Sequence, residues 1–325
     1  MKTRFIWSLI IATAAIYSAT IPTTSAQSFP VKAVKGVVTA APGGGNDFVA
    51  RVLAPHISEN LKQPFVVENR GGSGGVVGTD FVAKAVPDGY TLLMCFVNFA
   101  IFPSLYRNLP FDLINDFAPI TTLAATPLIL VVHPSLPVRT VKQLVALARS
   151  KPGALNIAST GAGSVGHLAG ELFKASTATS MVQVHYSGGA PAITAILSGE
   201  VQLYFATVPA ALTQVKAGRL RALAVTSAKR MGMEPGLPTI AEAGVPGYDV
   251  TGWFGILAPA KTPKTVIAYL NAEINKAIKV QDVRDRFATE GLEPLGSTPE
   301  EFAVIIKNDV EKWARVAQSA GIKRE

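Results

Sequence analysis

The sequence predicts an α/β protein of two domains with a ligand cleft between them. Three observations carry that expectation. Strand-like and helix-like segments alternate almost throughout, which calls for sheets covered by helices. Four strand-like runs end in glycine-rich turns that restart as helices: Pro42-Gly43-Gly44-Gly45-Asn46-Asp47, Gly71-Gly72-Ser73-Gly74-Gly75, Gly161-Ala162-Gly163-Ser164-Val165-Gly166 and Ser187-Gly188-Gly189-Ala190-Pro191. The last helices follow the final long strand with almost no strands of their own, so they must pack on a sheet built earlier. A chain that leaves one domain near Leu123, builds a second and returns near Val250 makes a pair hinged by two crossovers.

The elements follow in order. Val34 to Ala40 reads as a buried strand, and Asp47 to Lys62 as a helix with Phe48, Val49, Val52, Leu53, Ile57 and Leu61 on its apolar side. Pro55 is expected to bend or interrupt that helix. Phe65 to Val67 is a strand, Val76 to Ala85 a helix, Pro87-Asp88-Gly89 a turn and Thr91 to Phe96 a strand. Strand Ile120 to Val132, helix Val141 to Arg149, strand Leu155 to Ala158 and helix Ser164 to Ala175 continue the alternation. Val182 to His185, Val201 to Phe205 and Leu220 to Val225 are further strands separated by short helices, and the sheets are expected to be mainly parallel. Val250 to Leu257 is a long strand. Thr262-Pro263 and Thr298-Pro299 start closing helices, the second with a capping box completed by Glu301, and 293–295 is a marginal strand.

The first 26 residues read as a secretory leader. Lys2 and Arg4 precede the apolar stretch from Phe5 to Ile16, and Thr24-Ser25-Ala26 offers small residues for cleavage. Tyr17-Ser18, Thr20 and Pro22 break the run before it reaches the ~18 apolar residues of a membrane span. Its removal leaves 299 of the 325 residues, enough for two domains, and lowers the net charge from +8 to +6. The basic residues are scattered, with no stripe interleaved with aromatics, which excludes nucleic acid as a partner. Cys95, the only cysteine, lies in an apolar run and reads as packing.

The motifs point to binding rather than chemistry. Gly161-x-Gly163-x-x-Gly166 fits a dinucleotide fingerprint, yet Met181 to Tyr186 holds no acidic residue for a ribose. Gly71-x-Ser73-x-Gly75 fits a nucleophile elbow and keeps a serine hydrolase using Ser73 as the enzymatic rival, although barely two strands precede it. His56, His133, His167 and His185 share no ligand spacing with a carboxylate or with Cys95, so no metal and no cofactor is expected. His167 opens a helix beside Ser164, where a structural hydrogen bond and a ligand contact are both open. Asp47, between glycine turn and helix, reads as an N-cap that fixes which amides stay free for an anion. Trp253 and Phe254 are either core aromatics or cleft residues. Several glycine turns converging on one crevice make an anion receptor from main-chain N–H groups and helix dipoles, without a cationic side chain.

Ordered blocks across nearly the whole chain resemble the tripartite tricarboxylate transporter receptors, the Bug family of substrate-binding proteins. They include Ala41 to Gly45 with Asp47 and Ala50-Arg51, Val67-Glu68-Asn69-Arg70, Pro87 to Leu93, Asp116-Phe117-Ala118-Pro119, His167 to Glu171, Gly218 to Val225, Leu237 to Gly244 and Ala258 to Pro263. The resemblance implies a type II periplasmic binding fold, with two α/β domains, two crossover strands and a ligand closed between them. It further implies a periplasmic, non-catalytic receptor that delivers a small organic carboxylate to a two-component membrane permease. Carboxylate contacts would fall on Gly44, Gly45, Asp47, Gly74, Gly75, Gly163 and Ser164. The chain departs from the family at Phe96-Val97-Asn98-Phe99. It also has Gln202 where members commonly carry aspartate, and Ala206 where they often carry another, which argues against an amino acid ligand.

The expected site is therefore Gly44, Gly45, Asn46, Asp47, Gly74, Gly75, Asn98, Phe99, Thr160, Gly163, Ser164, His167, Gln202 and Trp253. The expected division is residues 27–124 with 250–325 as one domain and 125–249 as the other, in a monomer. The ligand is a small organic acid, aromatic or dicarboxylic. A ligand-presenting component of a membrane sensor is the alternative within the binding class.

Overall fold

The computed structural model describes residues 29–324, and the leader expected at residues 1–26 lies outside them. β1 (Val34–Val38) leads into α1 (Gly45–Leu61), and β2 (Phe65–Asn69) leads through a single 3-10 turn at Ser73–Gly75 into α2 (Val76–Ala83). β3 (Thr91–Phe96) leads into α3 (Asn98–Leu105), and β4 (Phe117–Val132) follows. Then come α4 (Val141–Ser150), β5 (Asn156–Ser159), α5 (Val165–Thr177), β6 (Val182–His185), α6 (Gly189–Leu197), β7 (Leu203–Thr207), α7 (Val208–Lys216) and β8 (Arg221–Val225). The remaining elements are β9 (Thr251–Pro259), α8 (Lys264–Ile278), α9 (Gln281–Thr289), β10 (Glu293–Pro294) and α10 (Pro299–Ser319).

The strands run in the order β2-β1-β3-β9-β4-β7-β5-β6, with β8 and β10 also on β4. Two parallel trios, β2-β1-β3 and β6-β5-β7, flank the long strands β4 and β9, which are antiparallel to their neighbours. The sheet is thus mixed, not mainly parallel, because the strands that leave the first half and return to it run against those around them. β4 pairs with β9 from Phe117 to Pro127 and with β7 and β8 from Leu128 to Val132, so one strand serves both halves.

Thr226 ties the two crossings together. Its N–H donates to the Leu128 carbonyl (2.9 Å), its Oγ1 accepts from the Leu128 N–H (2.8 Å) and donates to the Val250 carbonyl (2.7 Å), and its carbonyl accepts from the Val250 N–H (2.8 Å). The side chain is fully buried, so every one of these bonds is shielded from water.

Burial explains most of the elements. α1 places Val49, Val52, Leu53, Ile57 and Leu61 in a core shared with β1, β9 and α8. It continues through Pro55 without an interruption; Pro55 is exposed, as is Arg51, whose carbonyl lacks the N–H that a residue other than proline would donate. A second core runs from Leu93 through Phe302 and Trp313 of α10 to Phe173 and Phe205, spanning both halves behind the sheet. α10 starts with the expected capping box: Thr298 Oγ1 accepts from the Glu301 N–H (3.1 Å) and Thr298 N–H donates to Glu301 Oε2 (2.8 Å). α3 has no counterpart in the sequence reading, since its residues are nearly all apolar and buried and Pro103 sits inside it. Among the described residues no helix is long and apolar enough to cross a membrane.

Candidate functional site

Ligands of open α/β sheets gather at the carboxyl ends of parallel strands, where helix N-termini converge. A cavity of about 910 Å³ lies there, walled by the loops after β1, β2, β3, β5 and β7, by Thr126 to Leu128 of β4 and by Phe254 of β9. Gly44, Gly45, Asn46, Gly74, Gly75, Asn98, Thr160, Gly163 and Ser164 line it, so three of the four glycine turns meet at one place. Among the described lining residues no side chain is cationic, and Glu290 is the one anion.

The first turn is held by Asp47, which sits two residues inside α1 rather than at its cap, Gly44. From there its carboxylate reaches back to accept the Gly43 N–H (2.9 Å), while Arg51 Nε (2.9 Å) and Asn69 Nδ2 (2.9 Å) donate to it from outside. Burial pushes this carboxyl up, but the bonds from Arg51, Gly43 and Asn69 together outweigh it and hold the group below the ordinary range. Asp47 does not line the cavity; it positions the loop that does. The N–H groups of Gly45 and Asn46 precede the first internal bond of α1, from Phe48 N–H to the Gly44 carbonyl (2.9 Å), and remain available to an anion.

The second turn puts four successive residues at positive φ: Gly72 (124°), Ser73 (45°), Gly74 (65°) and Gly75 (112°). Two side chains from α3 and its end hold this shape. Asn98 Nδ2 donates to the Gly74 carbonyl, and Tyr106 Oη donates to the Ser73 carbonyl (3.2 Å). Gly75 lines the cavity, but its N–H donates to the Gly72 carbonyl (2.9 Å), so it is not an anion donor in this geometry. Ser73 is absent from the cavity lining. Each described histidine is engaged elsewhere: His56 with Asp282, His133 with Ser135, His167 with Gly163 and His185 with Ser159. The serine hydrolase reading therefore has no base at hand.

In the third turn Ser164 caps α5, its Oγ accepting the His167 N–H (3.2 Å). Gly163 N–H donates to His167 Nδ1 (2.9 Å) and Ser164 N–H to the Gly161 carbonyl (3.2 Å). The open donors here are Val165 and Gly166, two residues further along than expected, and both line the cavity. His167 lies behind the turn as a positioning residue, off the cavity lining.

His167 has a pH consequence. Burial first, then the neighbouring His185 and Lys174, push its pKa down from 6.5 to about 4. The His167 and His185 rings meet edge to face at 4.7 Å, and Glu171 Oε1 lies 3.7 Å from His167 Nε2. The neutral ring, with Nδ1 accepting, is the form the fold requires. Because the folded pKa lies below the unfolded one, this stability is complete above about pH 6.5 and is lost as pH falls towards 4. His167→Asn retains an acceptor at the position of Nδ1 for Gly163 without the titration. Thermal unfolding followed from pH 7 to 4.5 is expected to fall more steeply for the wild type than for the variant; parallel curves would contradict it.

Three other expected residues lie away from the cavity. Phe99 is fully buried, packed edge-on to Phe117 (5.4 Å) and near Phe102, because α3 begins at Asn98 and turns Phe99 inward. Gln202 precedes β7 at the far end from the cavity, where its Oε1 accepts the Asn156 N–H (2.9 Å) and its Nε2 donates to the Gly199 carbonyl (3.2 Å). Trp253 faces α10, donating Nε1 to Asp309 Oδ2 (2.6 Å) and packing on Phe302. Adjacent strand residues point to opposite faces, so Phe254 takes the cavity side instead.

Phe254, open in the sequence between core and cleft, lies on the apolar wall, of which sequence reasoning missed Phe102, Tyr204 and Phe205. Phe96 and Phe254 form a tilted pair with centroids 4.6 Å apart, and Phe254 sits against Gly45, where a Cβ would lie 3.4 Å from its ring. Tyr204 adds a phenol that burial pushes up to about 12, so it is a neutral hydroxyl at physiological pH. Glu290 also escaped notice, in a turn after α9 with no motif to mark it. Among the described residues no cluster of three or more histidine, cysteine or carboxylate groups could hold a metal ion.

Residues 49–322 match the tripartite tricarboxylate transporter family receptor. The chain is 36% identical over 301 residues to Protein BugT of Bordetella pertussis, covering 92% of each chain. Its fold is similar to that of R. palustris Rpa4515 solved with adipate, at 36% identity and a TM-score of 0.79, covering 91% of this chain and 100% of that one. It is also similar to MatC from Rhodopseudomonas palustris with bound malate, at 30% identity and a TM-score of 0.74, covering 89% of this chain and 100% of the other.

Proposed function

The chain belongs to the tripartite tricarboxylate transporter receptor family, a family of solute-binding proteins, and from that premise we propose that it captures a small organic carboxylate in the cavity. One observation carries the reading: two long helices, α1 and α5, bring unpaired N-terminal amides to a single cavity that no cationic side chain of the described residues lines. A carboxylate there accepts charge-assisted bonds worth roughly 1.5–3 kcal/mol each and meets the positive ends of two helix dipoles. The relatives bound to adipate and malate support the carboxylate assignment. The aromatic pair Phe96 and Phe254 adds a flat apolar wall for the rest of the ligand.

The receptor works in the periplasm, exported by its leader, and hands the ligand on unchanged to a two-component membrane permease. Residues 27–124 with 250–325 form one domain and 125–249 the other, closing as a monomer over the ligand about the Thr226 junction.

A thermal-shift screen over organic acids tests the reading, because a ligand that binds only the native state raises its melting temperature. Adipate, malate and aromatic carboxylates are expected to include acids that raise it by several degrees, and to be recovered unaltered. Ser73→Ala is expected to bind the same acids within about threefold in Kd, under 1 kcal/mol. A screen in which no acid stabilises the protein, or turnover that Ser73→Ala abolishes, would contradict it.

A further inference from the structure

The cavity has an electrostatic asymmetry. Its charge-stabilising donors are main-chain amides at α1 and α5, whereas the described lining side chains with polar atoms are hydroxyls and amides, which both donate and accept, and one carboxylate. Glu290 is the sole charged side chain among the described lining residues, and among the described residues no hydrogen bond or ion pair engages its carboxylate. It precedes Gly291, whose Cα lies so close to Val208 at the start of α7 that an added Cβ would meet Val208 Cγ1 at 2.3 Å. The Glu290 turn is therefore held against the opposite half of the molecule.

Asn46 supplies a second acceptor. Its Nδ2 donates to the Met94 carbonyl (2.9 Å), which fixes the amide orientation, and its Oδ1 is buried without a partner. The residue is 6% exposed and lines the cavity. A buried acceptor left without a donor is costly, so its place on the wall of a ligand cavity marks a position where a donor belongs.

From these two groups we propose that Glu290 makes the cavity selective for a ligand with one carboxylate and, elsewhere on its frame, a neutral or cationic hydrogen-bond donor such as an amide, amine or hydroxyl. The inference rests on the carboxylate reading above and narrows it. A second carboxylate on the ligand would share a partly desolvated cavity with Glu290 and find no cation to offset the repulsion. An amide or ammonium would instead give Glu290 and Asn46 the donors they lack.

Matched pairs of acids test this in calorimetry: adipate against 6-aminohexanoate, and terephthalate against 4-carbamoylbenzoate. The wild type is expected to bind the donor-bearing member of a pair at least tenfold more tightly than its dianionic twin. Glu290→Gln is expected to shrink that ratio below threefold, chiefly by improving the dianion. A dianion that binds the wild type as well as its twin, or a ratio unmoved in Glu290→Gln, would overturn the inference while leaving the carboxylate reading intact. If no member of either pair binds, and the wider screen of organic acids yields none, the carboxylate reading itself fails and the inference with it. Circular dichroism of Glu290→Gln separates loss of fold from change of selectivity, and Asn46→Asp, which adds a charge in the same cavity, is expected to weaken dianions further.

Discussion

Asp47→Ala is expected to lose stability and ligand affinity together. The substitution removes the acceptor of the Gly43 N–H and the partner of Arg51 and Asn69, three bonds at one buried carboxylate. Arg51 is about half exposed, so water re-solvates it and the loss stays on the scale of charge-assisted hydrogen bonds, about 2–3 kcal/mol, rather than that of a broken buried ion pair. For a chain of this size that lowers the melting temperature by roughly 3–5 °C. Affinity for the best-bound acid is expected to fall at least tenfold, about 1.4 kcal/mol, because the Gly43 to Asn46 loop loses the anchor that aims its amides. Asp47→Asn keeps an acceptor for Gly43 without the charge opposite Arg51 and is expected to fall between the two. Thermal unfolding and calorimetry read both effects. A variant as stable as the wild type, or one that loses stability and keeps full affinity, would contradict the role given to Asp47.

The second large effect is at Gly163. It has a φ of +72°, and a Cβ there would lie 2.4 Å from Leu105 Cδ1 and 2.7 Å from Cδ2. Leu105 belongs to α3 in the first half of the sheet and Gly163 to the loop after β5 in the second, so this contact crosses the cavity. Gly163→Ala should cost about 1–2 kcal/mol of left-handed strain, plus the displacement of the third turn from Leu105. Affinity is expected to drop about 10- to 100-fold, roughly 1.4–2.8 kcal/mol. Leu105→Ala in the same chain removes the steric part and leaves the strain. The double variant is therefore expected to recover part of the affinity, with a coupling of about 1 kcal/mol or more. Strict additivity of the two substitutions would mean that the halves do not meet at this point.

The fold was legible because its cues are local. Strand β3 falls on the expected residues, and the capping box at Thr298 and Glu301 names the start of α10. Three of the glycine turns could be assigned to one cavity because glycine, strand and helix follow one another in sequence. The errors come from information that is not local. Nothing in the run Gly252-Trp253-Phe254 says which face of β9 meets α10, so the sequence alone does not distinguish the indole from the phenyl ring as the cleft residue. Family likeness points to Gln202, but its place just before β7 puts it at the end of that strand away from the cavity. Which amides stay free depended on bonds made inside each turn, and those shifted the third donor set from Gly163 and Ser164 to Val165 and Gly166. Glu290 had no motif at all.

The most direct test of an anion held by helix-terminal amides is a backbone ¹⁵N–¹H correlation spectrum titrated with the acid that stabilises the protein most. The amides of Gly45, Asn46, Val165 and Gly166 are expected to move downfield and saturate at the calorimetric Kd, with Gly75, Gly163 and Ser164 shifting less. Saturation of binding with those four resonances unmoved would contradict the account.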